Sequence, residues 1–353
     1  MTLALILYNT FLILLTFGLV IYLNRIKFER PIERTFLIGI IQVSAIFLAA
    51  IFFPVDGFGH LQLLAWGVFL HFPLFLIGSG VVLFNTSRSF FYFLLCLVLI
   101  IIAVAVVAFL IEPQRLEVTH TTIFSSKLDQ SLKIALLADI QTDNLGPYEA
   151  RILALTASEN PDLVMLAGDY LQIQDPDHYD TAIIELNKIF IDAGLNPPLG
   201  IYAVRGNVDH GGWNLIFQDL DIYTFNKTES LDLEMLTLTG VDLVDSGNPD
   251  LVIPESQKFH LVMGHSPNFS LGEIDADLLL AGHTHGGQFQ LPGIGPILTL
   301  SLVPRSWASG LTEINPGQFL LVSRGIGLER GYAPRMRFLC RPELVILDLI
   351  PAR

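Results

Sequence analysis

The sequence predicts an α/β protein in which four membrane helices precede a layered α/β domain, and two observations support this fold class. Four uncharged apolar runs each approach the ~20 residues that cross a hydrocarbon core, and they cover residues 2–24, 36–53, 61–84 and 90–111. After residue 111, short apolar runs alternate with amphipathic stretches and turns. We therefore divide the chain into a four-helix transmembrane anchor, a connector and the layered domain, at residues 1–111, 112–130 and 131–353.

Membrane helices explain the four apolar runs better than the alternatives do. Buried helices of a water-soluble protein would leave no polar face for solvent across four successive runs. A cleaved signal peptide is disfavoured because the first run is too long and has neither a basic flank nor a small-residue cleavage site near Asn24. The runs contain almost no ionisable side chain apart from His71, so an anchor is favoured over a transporter.

The short links between the runs predict an orientation. Positive charge is concentrated in the first and third links, at Arg25, Lys27, Arg30, Arg34 and Arg88. The second link offers only Asp56. Because basic links stay in the cytoplasm, we expect an integral protein of an inner or plasma membrane whose residues after Ile111 face outward.

The domain after the anchor is acidic. Residues 1–111 contain five basic and three acidic side chains, so residues 112–353 contain 15 and 31 and carry a formal charge of −16. Such a domain is a poor non-specific binder of nucleic acid, and no nucleic-acid partner is expected. Cys96 lies in the fourth apolar run and Cys340 near the C-terminus, so neither a disulfide between them nor a cysteine metal cluster is expected.

Seven apolar runs predict buried strands, at residues 133–139, 162–169, 200–207, 260–265, 277–283, 319–325 and 343–349. Two periodic stretches, 148–158 and 178–193, predict helices. Polar residues lie at the C-terminal ends of five of these strands, where open α/β sheets place their ligand crevice. They are Asp139, Asp169, Asn207, His265 and His283.

Each of these residues alone has an ordinary explanation, such as a helix cap at Asp169 or a tight turn at Asn207. Five strand ends that share one pattern favour a metal site instead, and His283 with His285 adds two imidazoles beside a glycine turn. Carboxylate, amide and imidazole ligands suit Mn²⁺, Fe or Zn²⁺ better than Ca²⁺ or Mg²⁺.

In these candidate ligands and their order, the chain resembles the calcineurin-like metallophosphoesterase family over roughly residues 130–349. The family pattern runs D-x-H, GD, GNH followed by an acid, a later His, then GHxH. The matching segments here are ADIQ at 138–141, GD at 168–169, GNVD at 206–209, GH at 264–265 and GHTHGGQ at 282–288. The ending SRGIGLERGYAPRMRFLCRPEL from Ser323 is similar to a bacterial membrane-anchored subgroup with phosphodiesterase-like and UDP-diacylglucosamine pyrophosphatase-like members.

The resemblance implies an α/β/β/α layered fold and a centre of two divalent metal ions. One metal would be held by Asp139, Gln141, Asp169 and His285, and the other by Asp169, Asn207, His265 and His283, so that Asp169 bridges. Two cations ~4 Å apart can bind phosphoryl oxygens, lower the pKa of a bridging water and stabilise charge during in-line attack.

Two positions depart from the family pattern. Gln141 stands where the pattern usually has His, and its amide oxygen can coordinate a metal, though more weakly than imidazole. Val208 stands where the pattern has the histidine that stabilises the transition state or protonates the leaving group. His210 is a candidate catalytic replacement, with Asp209 as an orienting partner; an ordinary loop role for His210 is equally compatible with the sequence.

Five arginines, at 324, 330, 335, 337 and 341, suit either a phosphate or lipid headgroup or salt bridges to the abundant carboxylates. The sequence thus predicts a membrane-anchored hydrolase of phosphoester or pyrophosphate bonds in a lipid-linked or nucleotide-type substrate, with membrane lipids as partners. The alternative is a catalytically attenuated metal-binding sensor or interaction module that lost its acid at Val208. The substrate, the metal and the oligomeric state stay open.

Overall fold

A computed structural model describes residues 1–25 and 30–352, and the chain forms two compact units. The first unit comprises Met1–Leu110 together with Gly331–Arg335, and the second comprises Ile111–Arg330 together with Met336–Arg353. Lys27, which contributes to the predicted orientation, lies outside the described residues.

The first unit contains four long apolar helices. They are α1 (Thr2–Arg25), α2 (Pro31–Phe52), α3 (Gly57–Leu83) and α4 (Arg88–Gln114), the last of which runs on into the second unit. All four are long and apolar enough to cross a membrane, as the sequence predicts. Local chemistry sets their starts: Pro31 fits the first turn of α2, and the Asp56 carboxylate accepts a hydrogen bond from the Gly59 amide at the start of α3.

Hydrogen bonds between side chains join helices in the described part of this unit. The Gln42 amide donates to the Thr16 hydroxyl over 3.0 Å, which connects α2 to α1. Nε2 of His71 lies 2.7 Å from Oδ1 of Asn9, which connects α3 to α1. Such polar pairs hold apolar helices together where lipid offers no hydrogen-bond partner.

The second unit contains two six-stranded sheets. In spatial order the first sheet contains β1 (Glu117–Ser125), β16 (Glu343–Pro351), β2 (Leu132–Leu137), β3 (Leu163–Leu166), β4 (Ile201–Val204) and β5 (Ile222–Phe225). The second contains β14 (Gly310–Asn315), β15 (Gln318–Val322), β11 (Leu278–Ala281), β9 (Phe259–Met263), β7 (Leu236–Gly240) and β6 (Glu229–Asp232). Two short pairs complete the described strands, β8 (Val252–Ile253) with β10 (Glu273–Ile274) and β12 (Gln290–Leu291) with β13 (Gly295–Pro296).

Strand β1 occupies part of the segment 112–130 that the sequence assigned to a connector. It pairs in parallel with β16 over nine residues, from Glu117 opposite Glu343 to Ser125 opposite Pro351. Its sequence, EVTHTTIFS, is largely polar, and Ile123 is its one buried residue. An edge strand of this kind lacks the continuous apolar run that marks a strand buried on both faces.

The apolar side chains form a core between the two sheets and a core on the outer face of each. Leu136, Met165 and Leu261 belong to the central core. The outer face of the first sheet is covered by α5 (Pro147–Ser158) and α6 (Pro176–Ala193). The outer face of the second sheet is covered by shorter elements, including a 3₁₀ turn at Pro267–Leu271. The predicted fold class, four apolar helices followed by a layered α/β domain, is confirmed.

The topology determines where the site forms. Strands β2 to β5 are mutually parallel in the first sheet, and β7, β9, β11 and β15 are mutually parallel in the second. The carboxyl ends of parallel strands meet at one edge of a sheet, so the residues that follow them come together.

Candidate metal centre

Seven sequence-predicted ligands follow these strand ends on sharply turned backbone. Five of them have φ in the left-handed region, which residues other than glycine rarely adopt. They are Asp139 (52°), Gln141 (38°), Asp169 (56°), His283 (69°) and His285 (49°). Backbone strain of this kind persists where the surroundings over-determine it and is concentrated at functional sites.

Asp169, Asn207 and His265 form one side of the site. Oδ2 of Asp169 lies 3.3 Å from Nε2 of His265, and Oδ1 of Asn207 lies 2.8 Å from the same nitrogen. The Nδ1 atom of His265 lies 2.8 Å from the Ala167 carbonyl oxygen, to which its N–H donates. This hydrogen bond sets the ring orientation, so that Nε2 is the ring nitrogen that faces Asp169.

His283 completes this side. Its ring centroid is 5.1 Å from that of His265, and its Nε2 lies 3.3 Å from the Leu300 carbonyl oxygen. If the Nε2–H group of His283 donates to this carbonyl, the lone pair of the neutral ring lies on Nδ1. Ligand atoms of Asp169, His265 and His283 all lie within 4.8 Å of one another.

Asp139 and His285 form the other side, again with Asp169. Ligand atoms of these three residues also lie within 4.8 Å of one another, and each of the three is buried. The Asp139 carboxylate accepts the His283 amide over 3.0 and 3.1 Å. Nε2 of His285 is buried without a hydrogen-bond partner.

Gln141 is held by its amide nitrogen. That nitrogen donates to Oε1 of Gln172 over 3.0 Å and to Oε2 of Glu329 over 3.1 Å. Gln172 in turn donates to Oε1 of Glu329 over 2.5 Å. The two acceptors of the Gln141 amide nitrogen therefore distinguish the nitrogen end of that amide from its oxygen end. The Oε1 atom of Gln141 is left buried with no hydrogen-bond partner.

The charges of the site perturb its pKa values in opposite directions. Burial, with the Asp169 charge, raises the pKa of Asp139 to about 7 against the opposing charge of His265. Burial alone would lower the pKa of His265, but the charge and hydrogen bond of Asp169 outweigh it and raise that pKa to about 9. Burial lowers the pKa of His283 to about 4, and burial with the Arg337 charge holds the pKa of His285 well below its ordinary range. These two imidazoles are therefore neutral near pH 7, as metal ligands must be.

Two glycines allow the loops to approach the carboxylates. A Cβ at Gly206 would collide with the backbone nitrogen and Oδ1 of Asp169. A Cβ at Gly282 would lie 2.6 Å from Oδ2 of Asp139. The GN and GH segments thus need glycine for space around the two carboxylates.

This arrangement fits a pair of divalent cations. The two groups of ligand atoms share Asp169, and two buried polar atoms, Oε1 of Gln141 and Nε2 of His285, lack a protein partner. Buried polar atoms are almost always satisfied, so two unpartnered ones in a single site indicate that something else coordinates them. The geometry therefore brings the predicted ligands together, and their ligand roles stay predictions.

Comparison with known proteins identifies the family. Residues 132–287 match the calcineurin-like phosphoesterase family. The uncharacterized metallophosphoesterase YkuE of Bacillus subtilis (strain 168) is 30% identical over 260 residues, which cover 68% of this chain and 87% of that protein. The chain belongs to the calcineurin-like phosphoesterase family. It is a metallophosphoesterase, and the buried Asp and His clusters are its candidate metal sites.

Two more distant relatives have more specific names. Phosphodiesterase YaeI of Escherichia coli (strain K12) is 24% identical over 247 residues, which cover 66% of this chain and 87% of that protein. A Danio rerio protein named transmembrane protein with metallophosphoesterase domain is 25% identical over 281 residues, which cover 70% of this chain and 60% of that protein.

The GNVD segment of this phosphoesterase differs from the family pattern in structure as in sequence. The backbone nitrogen of Val208 donates to Oδ1 of Asp169 over 2.9 Å, but its side chain offers no proton. His210, the candidate catalytic residue, has its Nε2 3.0 Å from the Ile173 carbonyl oxygen and its ring against Tyr179. The described contacts of its imidazole are therefore with these two residues, and its catalytic role stays a prediction.

Asp209 supports the backbone of the site. Its buried carboxylate accepts hydrogen bonds from the amides of Asp169, Tyr170 and Gly206 over 2.8 to 2.9 Å. It thereby joins the loop after β3 to the loop after β4, and it does not contact His210 as an orienting partner through any described side-chain hydrogen bond.

The arginine-rich C-terminal segment makes mostly internal contacts. Arg324 pairs with Glu117 over 2.8 Å and with Glu343 over 3.0 Å. Arg337 is fully buried and donates to the carbonyls of Gly327 and Arg324, with one guanidinium nitrogen 3.4 Å from Nδ1 of His285. For Arg324 and Arg337 these contacts favour a structural role over phosphate binding.

Sequence reasoning did not find Glu329, Gln172 or the position of Arg337 in the site. The contact of Glu329 with Gln141 joins residues 188 positions apart. Gln172 and Glu329 lie outside the motifs that mark the ligands. The Gln at position 141 was the available signal, because an amide ligand needs an acceptor to fix its orientation.

Proposed function

We propose that this protein hydrolyses phosphodiester or pyrophosphate bonds with two divalent metal ions held by the seven predicted ligands. The sharing of Asp169 by two groups of ligand atoms is the observation that supports this most strongly. Asp139, Gln141 and His285 would hold one ion with Asp169, and Asn207, His265 and His283 would hold the other. The donor set suits Mn²⁺, Fe or Zn²⁺.

Residues of the chain orient the predicted metal ligands. When bound, the two cations would polarise phosphoryl oxygens and supply an activated water. The Ala167 carbonyl orients His265, and Gln172 and Glu329 orient Gln141, so each ligand presents a defined atom. Preorganised ligands of this kind avoid reorganisation during the reaction.

Val208 restricts the leaving groups. Without an imidazole at this position, protonation of the leaving group loses roughly 10²-fold to 10⁴-fold of general-acid assistance. Leaving groups of low pKa, such as a nucleotide or a pyrophosphate arm, suffer least from this loss. We therefore propose a nucleotide-type or lipid-linked phosphate, in line with the similarity of the C-terminal segment to membrane-anchored phosphodiesterase-like and pyrophosphatase-like proteins.

The predicted membrane location narrows the range of candidate substrates further. Four helices able to cross a membrane would keep the centre near amphiphilic substrates and membrane lipids. The basic first and third links favour an inner or plasma membrane with the catalytic unit outside the cytoplasm. An exported phospholipid, isoprenoid or nucleotide derivative then fits better than a cytoplasmic precursor, and the acidic surface disfavours nucleic acid.

Hydrolysis of bis-p-nitrophenyl phosphate by the full chain with added Mn²⁺ tests the proposal. We expect metal-dependent release of p-nitrophenolate that is lost in Asp169→Ala and in Asn207→Ala. Asp192→Ala, an exposed aspartate of α6, is the matched control and should keep wild-type activity.

A metal-binding sensor or interaction module is the second candidate. Val208 in place of the histidine and the contacts of the His210 ring with Ile173 and Tyr179 favour it over a standard enzyme of the family. A wild-type protein that binds metal but hydrolyses no phosphomonoester, phosphodiester, nucleotide pyrophosphate or lipid phosphate would establish this candidate and refute the first.

A further inference from the structure

An uncharged, exposed apolar loop lies beside the candidate metal centre. No Asp, Glu, Lys or Arg occurs between Asp277 and Arg305, in a domain of formal charge −16. Five aliphatic side chains of this stretch are at least two-fifths exposed, namely Ile294, Ile297, Leu298, Leu300 and Leu302. Single exposed aliphatic residues are ordinary, but a group of neighbouring ones marks a surface that binds an apolar ligand, a lipid or another protein.

The loop is held in this exposed form by specific contacts. Oδ1 of Asn268 accepts hydrogen bonds from the Ser301 hydroxyl over 2.6 Å and from the Leu302 amide over 2.8 Å. Leu300 has φ of 50°, a conformation that costs a bulky residue energy, and its side chain is 55% exposed. The exposure therefore belongs to a tethered loop and not to a free chain segment.

The loop bounds a groove, and one residue of the groove lining, Leu300, contacts a candidate metal ligand. The groove has a volume of about 580 Å³, and its lining includes the aliphatic residues Ile297, Leu298, Leu300 and Leu302 together with Asn268, Thr299, Ser301 and Arg305. The Leu300 carbonyl oxygen is 3.3 Å from Nε2 of His283. A groove lined mainly by aliphatic side chains beside a candidate metal centre has the layout of a site for a molecule with a phosphate next to hydrocarbon.

From this geometry we infer that the groove binds the alkyl or acyl chain of an amphiphilic phosphate ester whose phosphate lies at the metal centre. The inference rests on the proposed function and specifies its substrate class. Arg305 is the one charged residue of the groove lining and carries a positive charge, which suits an anionic amphiphile better than a cationic one. The four apolar helices would keep the chain where such amphiphiles are found.

A series of alkyl p-nitrophenyl phosphates with methyl, butyl and octyl chains tests the inference. Hydrolysis breaks the bond between phosphorus and the nitrophenyl oxygen, water supplies the new P–O bond, and p-nitrophenolate leaves. The full chain in lipid nanodiscs is used with Mn²⁺, since alkyl detergents would compete for the groove. If half of each methylene is buried, kcat/KM rises about twofold per methylene, so by roughly tenfold or more from butyl to octyl.

The variant Ile297→Gln is compared with Ile184→Gln, which changes another isoleucine that is more than half exposed, on α6. We expect the octyl-to-methyl ratio of kcat/KM to fall at least threefold in Ile297→Gln and further when Leu302→Gln is added. The control should keep the wild-type ratio, because partition of the octyl ester into the bilayer affects both proteins equally.

The outcomes separate this inference from the proposed function. Equal octyl-to-methyl ratios in Ile297→Gln and Ile184→Gln overturn the inference, and so does a loss in Ile297→Gln that is equal for all chain lengths. In both cases hydrolysis of the methyl ester by the wild type would leave the proposed function intact. Absence of metal-dependent hydrolysis of every ester would refute the proposed function itself.

Discussion

The orientation of the Gln141 amide depends on Glu329, and removal of that carboxylate should weaken one metal site selectively. Glu329 accepts hydrogen bonds from Gln141 over 3.1 Å and from Gln172 over 2.5 Å. A hydrogen bond to a charged acceptor contributes about 1.5 to 3 kcal/mol, and 1.4 kcal/mol corresponds to a tenfold change in affinity. We therefore expect Glu329→Ala to raise the Kd of one metal by about 10-fold to 100-fold, the range typical of residues that orient metal ligands.

Calorimetric titration of the metal-free protein with Mn²⁺ measures both affinities. The site that lacks Gln141 should keep its wild-type Kd, and Glu185→Ala, an exposed glutamate of α6, should change neither. A double-mutant cycle with Gln141→Ala isolates the interaction. If the losses from Glu329→Ala and Gln141→Ala are additive, or if Glu329→Ala leaves both affinities unchanged, Glu329 does not act through the Gln141 amide.

Three further predictions concern the acid, the protons and the packing of the site. Val208→His should accelerate phenyl esters by up to roughly 10²-fold and p-nitrophenyl esters much less, as measured by kcat/KM, because only the poorer leaving group needs a proton. Metal affinity should rise about tenfold per pH unit between pH 7 and 8.5, because His265, with a pKa of about 9, must lose a proton to bind metal. Below pH 7 the rise should be steeper, because Asp139, with a pKa of about 7, must also lose a proton. A metal affinity that does not change between pH 6.5 and 8.5 would contradict this. Gly206→Ala should lower activity at least 100-fold, because its Cβ collides with Asp169, while Gly211→Ala, whose Cβ meets no atom within 4 Å, should be active; equal activities would show that the close approach is unimportant.

The buried parts of the fold follow from sequence patterns, and the edges do not. The apolar runs at 162–169 and 277–283 predict β3 and β11, because strands covered on both faces contain few polar residues. Strand β1 escapes prediction because one of its nine residues is buried. Its pairing partner, β16, lies more than 200 residues later in the chain, so no local pattern indicates the contact.

The candidate site likewise contains residues that the sequence predicts and residues that it does not. The rule that polar residues follow strand ends predicts that Asp139 lies close to Asp169, and His265 close to His283, because parallel strands of one sheet share an edge. The rule does not reach Glu329, whose role depends on a side-chain contact between distant segments. It also cannot predict that Asp209 accepts hydrogen bonds from the amides of Asp169, Tyr170 and Gly206, since that requires the geometry of two loops at once.

Asp169 belongs to both groups of ligand atoms, and metal stoichiometry measured together with activity tests its predicted role most directly. Equilibrium dialysis against Mn²⁺ followed by elemental analysis should find two ions per wild-type chain. Asp169→Asn should bind fewer than two ions and should not hydrolyse bis-p-nitrophenyl phosphate, because both groups of ligands lose a common carboxylate. A wild type that holds a single ion, or an Asp169→Asn variant that keeps two ions and wild-type hydrolysis, would contradict a bridged dinuclear centre.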